Sequence, residues 1–371
     1  MGHVQLLSIP ERLDAYADIT GEGVVMGFVD VGFYPHPDMM HPVRRIRAYA
    51  DATRDVPDGQ EFFSPQIFGW HGTMTACAAA GNGYRSGGAY RGIASEAEVV
   101  LIKAGVDGGN ILGKHVAHAI RFPLRYPKLG VRIVNISLGV RFDDPDFEDV
   151  ERAVEEVVAS GVTVFAAAGN VPGRKVAAPA SAIGAIAVGG QHDRFSPDQD
   201  RDRPWPSSYG SHRPGVQKPD LLAPAIWLPA PMLPGTLTSR EAAPLFALHS
   251  VLEELSAEHG FSERNTMSTP EERSEISALM KVVEARIRKQ KYISPEYQHV
   301  DGTSFAAPIA ASVAAQMLEI APKLTPAEIR QGLVATAEAL PDVPREVQGA
   351  GILRPRAAVD WARARVAPKK G

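Results

Sequence analysis

The chain has 371 residues, of which 44% are apolar and 22% charged, and its formal net charge is −4. This is the composition of a globular protein that is large enough to bury a sizeable core. The net charge does not indicate the basic face that nucleic acids require, and no apolar run in the sequence is long enough to span a bilayer. We therefore predict neither a nucleic-acid partner nor a membrane partner.

The start of the chain and its cysteine content indicate a compartment. Residues 1–12 lack the basic start and the apolar core of a secretory signal peptide. Cys77 is the single cysteine, so no disulfide can form within the chain. Both features are typical of a reducing environment, and we predict a cytoplasmic protein.

The first two-thirds of the chain alternates short apolar runs with helical patterns. Five runs are nearly continuous in Val, Ile and Ala, as strands buried on both faces of a sheet are. They are residues 23–29, 98–103, 132–137, 162–168 and 185–188. The alternation predicts an α/β fold, a three-layer, mostly parallel doubly wound sheet with helices on both faces. In such sheets the chemistry lies at the carboxyl ends of the strands.

Helices are predicted in both halves of the chain. One runs from Asp144 to Ala159, with acidic residues in its first turn, where the helix dipole favours them. Residues 303–320 are small and apolar almost all round, which predicts a central buried helix. Thr325 and Pro326 open another helix, and a final one covers about residues 355–365.

Residues 226–300 have a different character. The stretch begins with a Pro-rich segment, residues 228–235, which we interpret as a loop. Two amphipathic patterns follow, with leucines at 245, 248, 252 and 255 and aliphatic residues at 276, 279, 283 and 287. Thr269 and Glu272 form a capping-box pattern at the start of the second. We predict a helical-hairpin insertion within a single domain that covers residues 1–371.

Three motifs place reactive residue types at the ends of predicted elements. Asp30 ends the first strand, His71 begins a helix of small residues, and Ser304 begins the long buried helix. A serine hydroxyl attacks efficiently only when a base removes its proton, and His suits that role near neutral pH. A buried carboxylate fixes the His tautomer and stabilises the imidazolium. The three residues together predict a catalytic triad.

A fourth motif ends in Asn170, directly after the strand at 162–168. An Asn amide in this place can donate a hydrogen bond to a developing oxyanion. The unpaired N–H groups at the start of the Ser304 helix can do the same. These donors predict an oxyanion hole.

With the order Asp, His, Ser and these local motifs, the chain resembles the subtilisin-like (subtilase) serine peptidases. The resemblance rests on the segments 25–32, 71–76, 162–170 and 302–308, and it covers roughly residues 5–225 and 300–362. It implies a subtilisin-like catalytic domain. It also implies a serine endopeptidase that cuts a peptide or protein substrate through an acyl-enzyme.

The resemblance assigns a role to each site residue. Asp30 orients the imidazole, His71 is the general base and acid, Ser304 is the nucleophile, and Asn170 is the oxyanion donor. Two further segments match the strand that pairs with the substrate backbone and the far wall of the S1 pocket. They are Ser137, Leu138 and Gly139 for the strand, and Ala167, Ala168 and Gly169 for the wall.

The chain departs from the family pattern in three ways. Val31 stands where the family usually has Ser or Thr, which removes a hydroxyl near Asp30. We expect no inhibitory propeptide before the matching segment, and the insertion at 226–300 is longer than the usual connection. Because the insertion ends beside Gly302, we predict that it controls access to the active site. The alternative is an insertion that serves as a homodimer contact away from the cleft.

No cofactor or metal is predicted to be required. Relatives often bind Ca²⁺, and the acidic loops 143–149 and 193–202 are candidates, but neither has a regular spacing of oxygen ligands. His115 and His118 lie three residues apart without acidic or cysteine companions, so they do not predict a metal site. Cys77 is interpreted as a packed thiol.

Other classes of function are weighed against these motifs. An α/β-hydrolase esterase would show Gly-x-Ser-x-Gly and the order Ser, Asp, His, which this sequence lacks. A dedicated processing protease with one precursor stays open. A catalytically silent protease fold that binds partners through its insertion also stays open, although all four catalytic residue types are present.

Overall fold

The structure, a computed structural model, describes residues 7–54, 61–196, 198, 202–260 and 269–366. The strands in these ranges are β1 (Val25–Asp30), β2 (Ile46–Asp51), β3 (Glu98–Lys103), β4 (Val131–Ile136), β5 (Thr163–Ala167), β6 (Ile186–His192), β7 (Arg203–Pro204), β8 (Leu221–Pro224), β9 (Leu228–Pro231) and β10 (Tyr297–Val300). The helices are α1 (Ile9–Arg12), α2 (Pro37–Met40), α3 (Trp70–Ala80), α4 (Gly113–Ile120), α5 (Phe122–Arg125), α6 (Phe147–Ala159), α7 (Leu237–Gly260), α8 (Pro270–Lys289), α9 (Thr303–Ile320), α10 (Pro326–Thr336), α11 (Arg345–Gln348) and α12 (Pro355–Val366).

Strands β1 to β8 form one sheet. Its order is β2-β3-β1-β4-β5-β6, and β7 and β8 both pair with β6. Every pair is parallel except β6 with β7. The prediction of a mostly parallel α/β sheet is confirmed, and each end of the five predicted strands lies within four residues of its observed position.

Two apolar cores cover the two faces of the sheet. One contains buried side chains of α3, α9, α10 and α12, and the other contains those of α4 and α6. Helix α9 packs against β4, β5, β6 and β8, which makes it the central helix of the fold. Of the described helices, α9 is the one long and apolar enough to cross a membrane, but 83% of it is buried inside the protein. It is therefore the core helix that its sequence predicts.

The insertion contains the predicted helical hairpin. Helices α7 and α8 pack against each other, with Leu252 and Val283 buried. At the base of the hairpin, the Tyr292 hydroxyl donates to Glu241 across 2.9 Å. Residues 261–268, between α7 and α8, lie outside the described residues.

The Pro-rich segment of the insertion was predicted to be a loop, and this is wrong for residues 228–231. They form β9, which pairs antiparallel with β10 from Leu228 opposite Val300 to Pro231 opposite Tyr297. A two-stranded ribbon tolerates proline because each strand has an outer edge whose N–H groups need no strand partner. We call β9 and β10 the stem. The stem packs against α3, the helix that carries His71.

Candidate active site

His71 and Asp30 meet at the carboxyl end of β1. His71 Nδ1 lies 2.8 Å from Oδ1 and 3.0 Å from Oδ2 of Asp30. The approach depends on Gly72, because a Cβ atom there would lie 2.3 Å from the carbonyl oxygen of Gly32. The Asp30 side chain is 1% exposed, so water does not compete for it. The carboxylate therefore holds the imidazole with Nδ1 as the protonated nitrogen.

One backbone donor holds the Asp30 carboxylate, and one hydroxyl lies near it. The backbone N–H of Val31 donates to Oδ1 across 2.8 Å. The Thr75 hydroxyl lies 3.3 Å from Oδ2, but its single proton also has the Gly72 carbonyl oxygen as an acceptor at 2.9 Å. Val31 lacks the hydroxyl that the family usually places there, and Thr75 supplies one from the other side. The motifs that predict the site assign no role to Thr75. Its spacing of four residues from His71, which puts both residues on one face of α3, is the feature of the sequence that indicates its proximity to Asp30.

The pKa of His71 is raised above its ordinary value of 6.5. Burial of the ring lowers this pKa, but the charge of Asp30 and the hydrogen bond to it raise the pKa by more. The ring packs edge-to-face against Trp70, at 5.3 Å between centroids, and contacts Phe305 at 5.8 Å. These two aromatic contacts restrict the orientation of the imidazole ring.

Ser304 is the second residue of α9 and is tied to the end of β4. Its hydroxyl donates to the carbonyl oxygen of Ser137 across 3.3 Å, while the Ser137 hydroxyl donates to the Ser304 carbonyl across 2.7 Å. The side-chain amide of Asn135 donates to Ser137 Oγ across 2.9 Å. Among the described residues, no hydrogen bond joins Ser304 to His71. The bond from Ser304 is longer than the roughly 2.5–3.0 Å usual for a hydroxyl donor, so this hydroxyl is weakly held.

Asn170 is oriented by Thr303, a residue that the sequence analysis did not identify. The backbone N–H and the hydroxyl of Thr303 both donate to Asn170 Oδ1, each across 2.9 Å. The N–H of Gly169 donates in turn to Thr303 Oγ1 across 3.0 Å. Because Oδ1 accepts both bonds, the Asn170 amide is left with its Nδ2 donor group free of partners among the described residues. This group lies beside Gly302, at 3.2 Å from where a Cβ would be.

The two predicted substrate segments lie side by side. Ser137, Leu138 and Gly139 continue from β4, and Ala167, Ala168 and Gly169 lie at the end of β5. Strands β4 and β5 are parallel, with Ile136 opposite Ala166, so the two segments leave the sheet at neighbouring positions. Leu138 and Ala168 are buried, whereas Gly139 is exposed. The structure places these segments at the carboxyl ends of β4 and β5, where Ser137 also bonds Ser304.

The insertion is anchored two residues before Ser304, at Gly302. The N–H of Gly302 donates to the Ala225 carbonyl across 2.7 Å, which joins the two ends of the insertion. Asp301 accepts from the N–H of Trp227 across 2.8 Å and forms an ion pair with Lys291. The residues just before Ser304 therefore take their position from both ends of the inserted segment.

A second cluster of ligand types lies near α2 and α3. One atom from each of His36, Asp38 and Cys77 lies within 4.8 Å of the others, and all three residues are buried. However, the Asp38 carboxylate already accepts from the Tyr297 hydroxyl across 2.6 Å and from the Arg85 N–H across 3.1 Å. Burial raises the pKa of the Cys77 thiol, which keeps it protonated. These residues do not fit a metal ion, and Cys77 is packed as predicted.

The acidic loop 143–149 was a candidate for Ca²⁺. Asp143 pairs with Arg141 at 2.8 Å, and Asp149 pairs with Arg121 at 2.8 Å. A carboxylate that already binds a guanidinium offers little charge to a cation, so these two do not fit a calcium site. In the second candidate loop, residues 197 and 199–201 lie outside the described residues.

Comparison with known proteins decides the family. A sequence model of the subtilase family matches residues 21–351, which include Asp30, His71, Asn170 and Ser304. The chain belongs to the subtilase family. This confirms the resemblance that its motifs carry.

Individual subtilases match over large parts of the chain. Serine protease AprX of Bacillus subtilis is 28% identical over 90% of this chain. Subtilisin BL of Lederbergia lenta is 29% identical over 56% of it, and the major intracellular serine protease of Bacillus subtilis is 27% identical over 41%. The aligned region is 65% of the length of AprX and 66% of that of subtilisin BL.

A solved structure shows the same fold. The prenylagaramide maturation protease PagA superimposes with a TM-score of 0.58, over 91% of this subtilase and 93% of PagA, at 18% sequence identity. At that identity the likeness concerns the fold alone. It confirms the predicted subtilisin-like architecture.

Proposed function

We propose that this chain is a serine endopeptidase in which Asp30, His71 and Ser304 form the triad and Asn170 donates to the oxyanion. Membership of the subtilase family gives the reaction class. The observation that carries the residue roles is the approach of His71 Nδ1 to both carboxylate oxygens of Asp30, at 2.8 and 3.0 Å. This contact leaves Nε2 as the nitrogen that can accept a proton from Ser304.

Acylation begins with the Ser304 hydroxyl. It turns from the Ser137 carbonyl, where it is weakly held at 3.3 Å, towards Nε2 of His71. As Oγ attacks the substrate carbonyl carbon, His71 takes the hydroxyl proton and becomes an imidazolium. Asp30 stabilises that charge without taking the proton. Although burial lowers the pKa of His71, the charge of Asp30 and the hydrogen bond to it raise this pKa by more, so they favour the charged ring.

Two donors face the oxygen that becomes negative in the tetrahedral intermediate. The first is the Nδ2 group of Asn170, which points away from Thr303 because Oδ1 accepts both Thr303 bonds. The second is the backbone N–H of Ser304, an unpaired donor of the first turn of α9. Donors that are held in place before the charge develops require no reorganisation during the reaction.

The second half of the reaction reverses the proton transfers. The His71 imidazolium gives its proton to the leaving amine, and the amine departs to leave an acyl group on Ser304. A water molecule then loses a proton to Nε2 and attacks the acyl carbon. Ser304 regains the proton when the acid product leaves, so the site returns to its starting state.

The substrate is a peptide or protein with an apolar P1 residue. The proposed S1 walls, Ser137 to Gly139 and Ala167 to Gly169, carry no charged side chain and only one large one, Leu138. An uncharged pocket of this kind favours an apolar side chain. Arg174 and Lys175 follow the Asn170 loop, and both are exposed. If either reaches the pocket, it would favour an acidic P1 residue.

The site of action is a reducing, intracellular compartment. With Cys77 as its single cysteine, the chain forms no internal disulfide and does not depend on an oxidising environment. A relative that is 27% identical over 41% of the chain is named the major intracellular serine protease of Bacillus subtilis. Fractionation of the source cells, with an antibody against this chain, tests the compartment.

The insertion controls access to the active site through its stem. The stem packs against α3, which carries His71, and Tyr297 of β10 bonds Asp38 across 2.6 Å. The other end of the stem leads through Asp301 to the nucleophile. A protein substrate that displaces the insertion therefore acts on elements that carry two of the triad residues.

Active-site labelling tests the proposal. The purified chain should react with a fluorophosphonate probe, which modifies an activated serine, and Ser304→Ala should abolish the label. The matched control is Ser312→Ala, because Ser312 lies on the same helix α9 but is buried and bonds Ile309. A folded, unlabelled chain would favour the catalytically silent binding module instead.

A further inference from the structure

The helical hairpin exposes an apolar surface on one side. Leu252 of α7 and Val283 of α8 are 4% and 3% exposed, and they mark the sides on which the two helices face each other. In two antiparallel helices, the residues one and four positions before such contacts point to the same side of the pair. These residues are Leu248 and Val251 on α7 and Leu279 and Val282 on α8, and they are 39% to 64% exposed. We call these four residues the hairpin face.

Helix α8 carries a charge pattern that is centred on this face. Six residues follow one another at alternating steps of three and four, the spacing of a helix–helix contact line. They are Glu272, Glu275, Leu279, Val282, Arg286 and Lys289. Two acidic residues thus precede the apolar pair, and two basic residues follow it at the same distances. In the reverse direction along the helix, the basic residues come first, then the same apolar pair, then the acidic residues.

We infer that the hairpin face binds the hairpin face of a second copy of this chain. A two-fold axis runs at a right angle to α8, between this helix and the partner's α8, at the level midway between Leu279 and Val282. The two α8 helices therefore run antiparallel. Leu279 then contacts the partner's Val282. Glu272 faces the partner's Lys289, and Glu275 faces the partner's Arg286. Each charge meets its opposite, and the contact is closed because both copies use the same surface.

The charges select this arrangement over the parallel one. Two α8 helices side by side in the same direction would place glutamates against glutamates and basic residues against basic residues. Arg286 already pairs with Glu241 of its own hairpin. Its side chain is 42% exposed, so it can also donate to a second carboxylate. With Leu248 and Val251 of α7 on the same side, the two hairpins form a four-helix bundle.

The inference goes beyond the proposed peptidase activity and does not depend on it. Dimerisation is therefore measured on the full chain with Ser304→Ala, which prevents self-cutting. Sedimentation equilibrium at micromolar concentration should give twice the chain mass of 39.8 kDa. Val282→Glu places two like charges at the two-fold axis and should raise the dissociation constant at least about 100-fold. Val282 is 64% exposed, so the change should leave the fold intact, which circular dichroism checks.

Two further variants test the surface and the direction of the helices. Ile183→Glu is the matched control, because Ile183 is 55% exposed on another part of the protein, and it should leave the mass unchanged. Lys289→Glu puts a glutamate opposite the partner's Glu272 and should weaken the dimer about 10-fold. Adding Glu272→Lys restores opposite charges and should recover most of the loss. Glu272→Lys alone is measured as well, because Glu272 also caps α8.

The results of these measurements distinguish a failure of the dimer from a failure of the antiparallel contact. A monomeric chain at concentrations up to about 100 μM, or a dimer that survives Val282→Glu, would overturn the inference. A dimer that the charge swap fails to recover would overturn the antiparallel contact. None of these results alters the labelling of Ser304, so failure of the dimer and failure of the proposed activity are distinguishable.

Discussion

The Thr75 hydroxyl lies 3.3 Å from Oδ2 of Asp30 and 2.9 Å from the Gly72 carbonyl oxygen, one helical turn beyond His71. Its single proton is shared between two acceptors, and the contact with Gly72 is the shorter one. A hydroxyl on α3 thus lies close to the carboxylate whose neighbour Val31 carries none.

Removing the Thr75 hydroxyl tests this relationship. Thr75→Val keeps the shape of the side chain but removes the hydroxyl from both Oδ2 of Asp30 and the Gly72 carbonyl oxygen, at a cost of about 1 kcal/mol. We expect kcat to fall about 5-fold with little change in KM, since the loss concerns the orientation of His71. Val31→Ser in the same chain should restore part of the rate. Equal rates for Thr75→Val and the unaltered enzyme would remove Thr75 from the site.

The pH profile follows from the raised pKa of His71. Below that pKa the ring is protonated and cannot accept the proton of Ser304, so kcat/KM falls as the pH drops. We expect the acidic limb to lie above pH 6.5, the ordinary value for His. The measurement is kcat/KM on a small ester substrate between pH 5 and 9. A half-maximal point below 6.5 would contradict the assignment.

Asp30→Asn should shift the acidic limb of the pH profile of kcat/KM to lower pH. It removes the charge that raises the pKa of His71, while the burial that lowers this pKa remains. The acidic limb should shift to lower pH, and the plateau should fall about 10,000-fold because the imidazolium loses its partner. A lower plateau with an unshifted limb would mean that Asp30 is not the source of the raised pKa.

Asn170 should contribute to kcat rather than to binding. Asn170→Ala removes the Nδ2 donor and should lower kcat about 100- to 1000-fold with KM nearly unchanged. Thr303→Val is the companion variant. It keeps the backbone donor to Asn170 but removes the hydroxyl, so its loss should be smaller. A rise in KM at constant kcat would show that Asn170 binds substrate instead.

Substrate profiling tests the P1 preference. On a peptide library, the enzyme should cut mainly after apolar residues of medium to large size, because the proposed S1 walls are uncharged. Arg174→Ala and Lys175→Ala should leave this preference unchanged. Predominant cutting after Asp or Glu that these variants abolish would show that the basic residues enter the pocket. Cleavage sites in a whole-proteome digest would separate a general enzyme from a processing protease with one target.

Removing the hairpin while keeping the stem tests control of access. Met232 and Glu296 are joined by a backbone hydrogen bond of 2.8 Å, so a short Gly-Ser linker can replace residues 235–293. The shortened enzyme should cut a folded protein substrate at least about 10-fold faster and a small peptide at an unchanged rate. Unchanged rates on both would favour an insertion that serves only as a dimer contact.

Much of the fold could be predicted because its elements follow local rules. Strand β3 is an unbroken buried run, and α9 is small and apolar all round. Strand β2 was missed because it lies at the edge of the sheet and carries Arg47 and Tyr49, which hide its apolar side. Strand β9 was missed because its two prolines resemble a loop, and only pairing with β10 makes it a strand.

The residues that we propose to be reactive could be chosen from the sequence, whereas the residues that contact them could not. Asp30, His71, Asn170 and Ser304 each stand in a short local motif. Thr75 and the hydroxyl of Ser137 act across 45 and 167 residues of sequence, and such contacts are set by tertiary packing. The orientation of the Asn170 amide likewise depends on Thr303, 133 residues away.

The hydrogen bond between Gly302 and Ala225 has a consequence for protein engineering. Because it joins the end of β8 to the start of α9, the whole inserted segment enters and leaves the catalytic domain at one point. A ligand-binding domain could replace the inserted segment without changing the distance between β8 and α9. Since this point lies directly before Thr303 and Ser304, binding of the ligand to the added domain should change the rate of peptide cleavage.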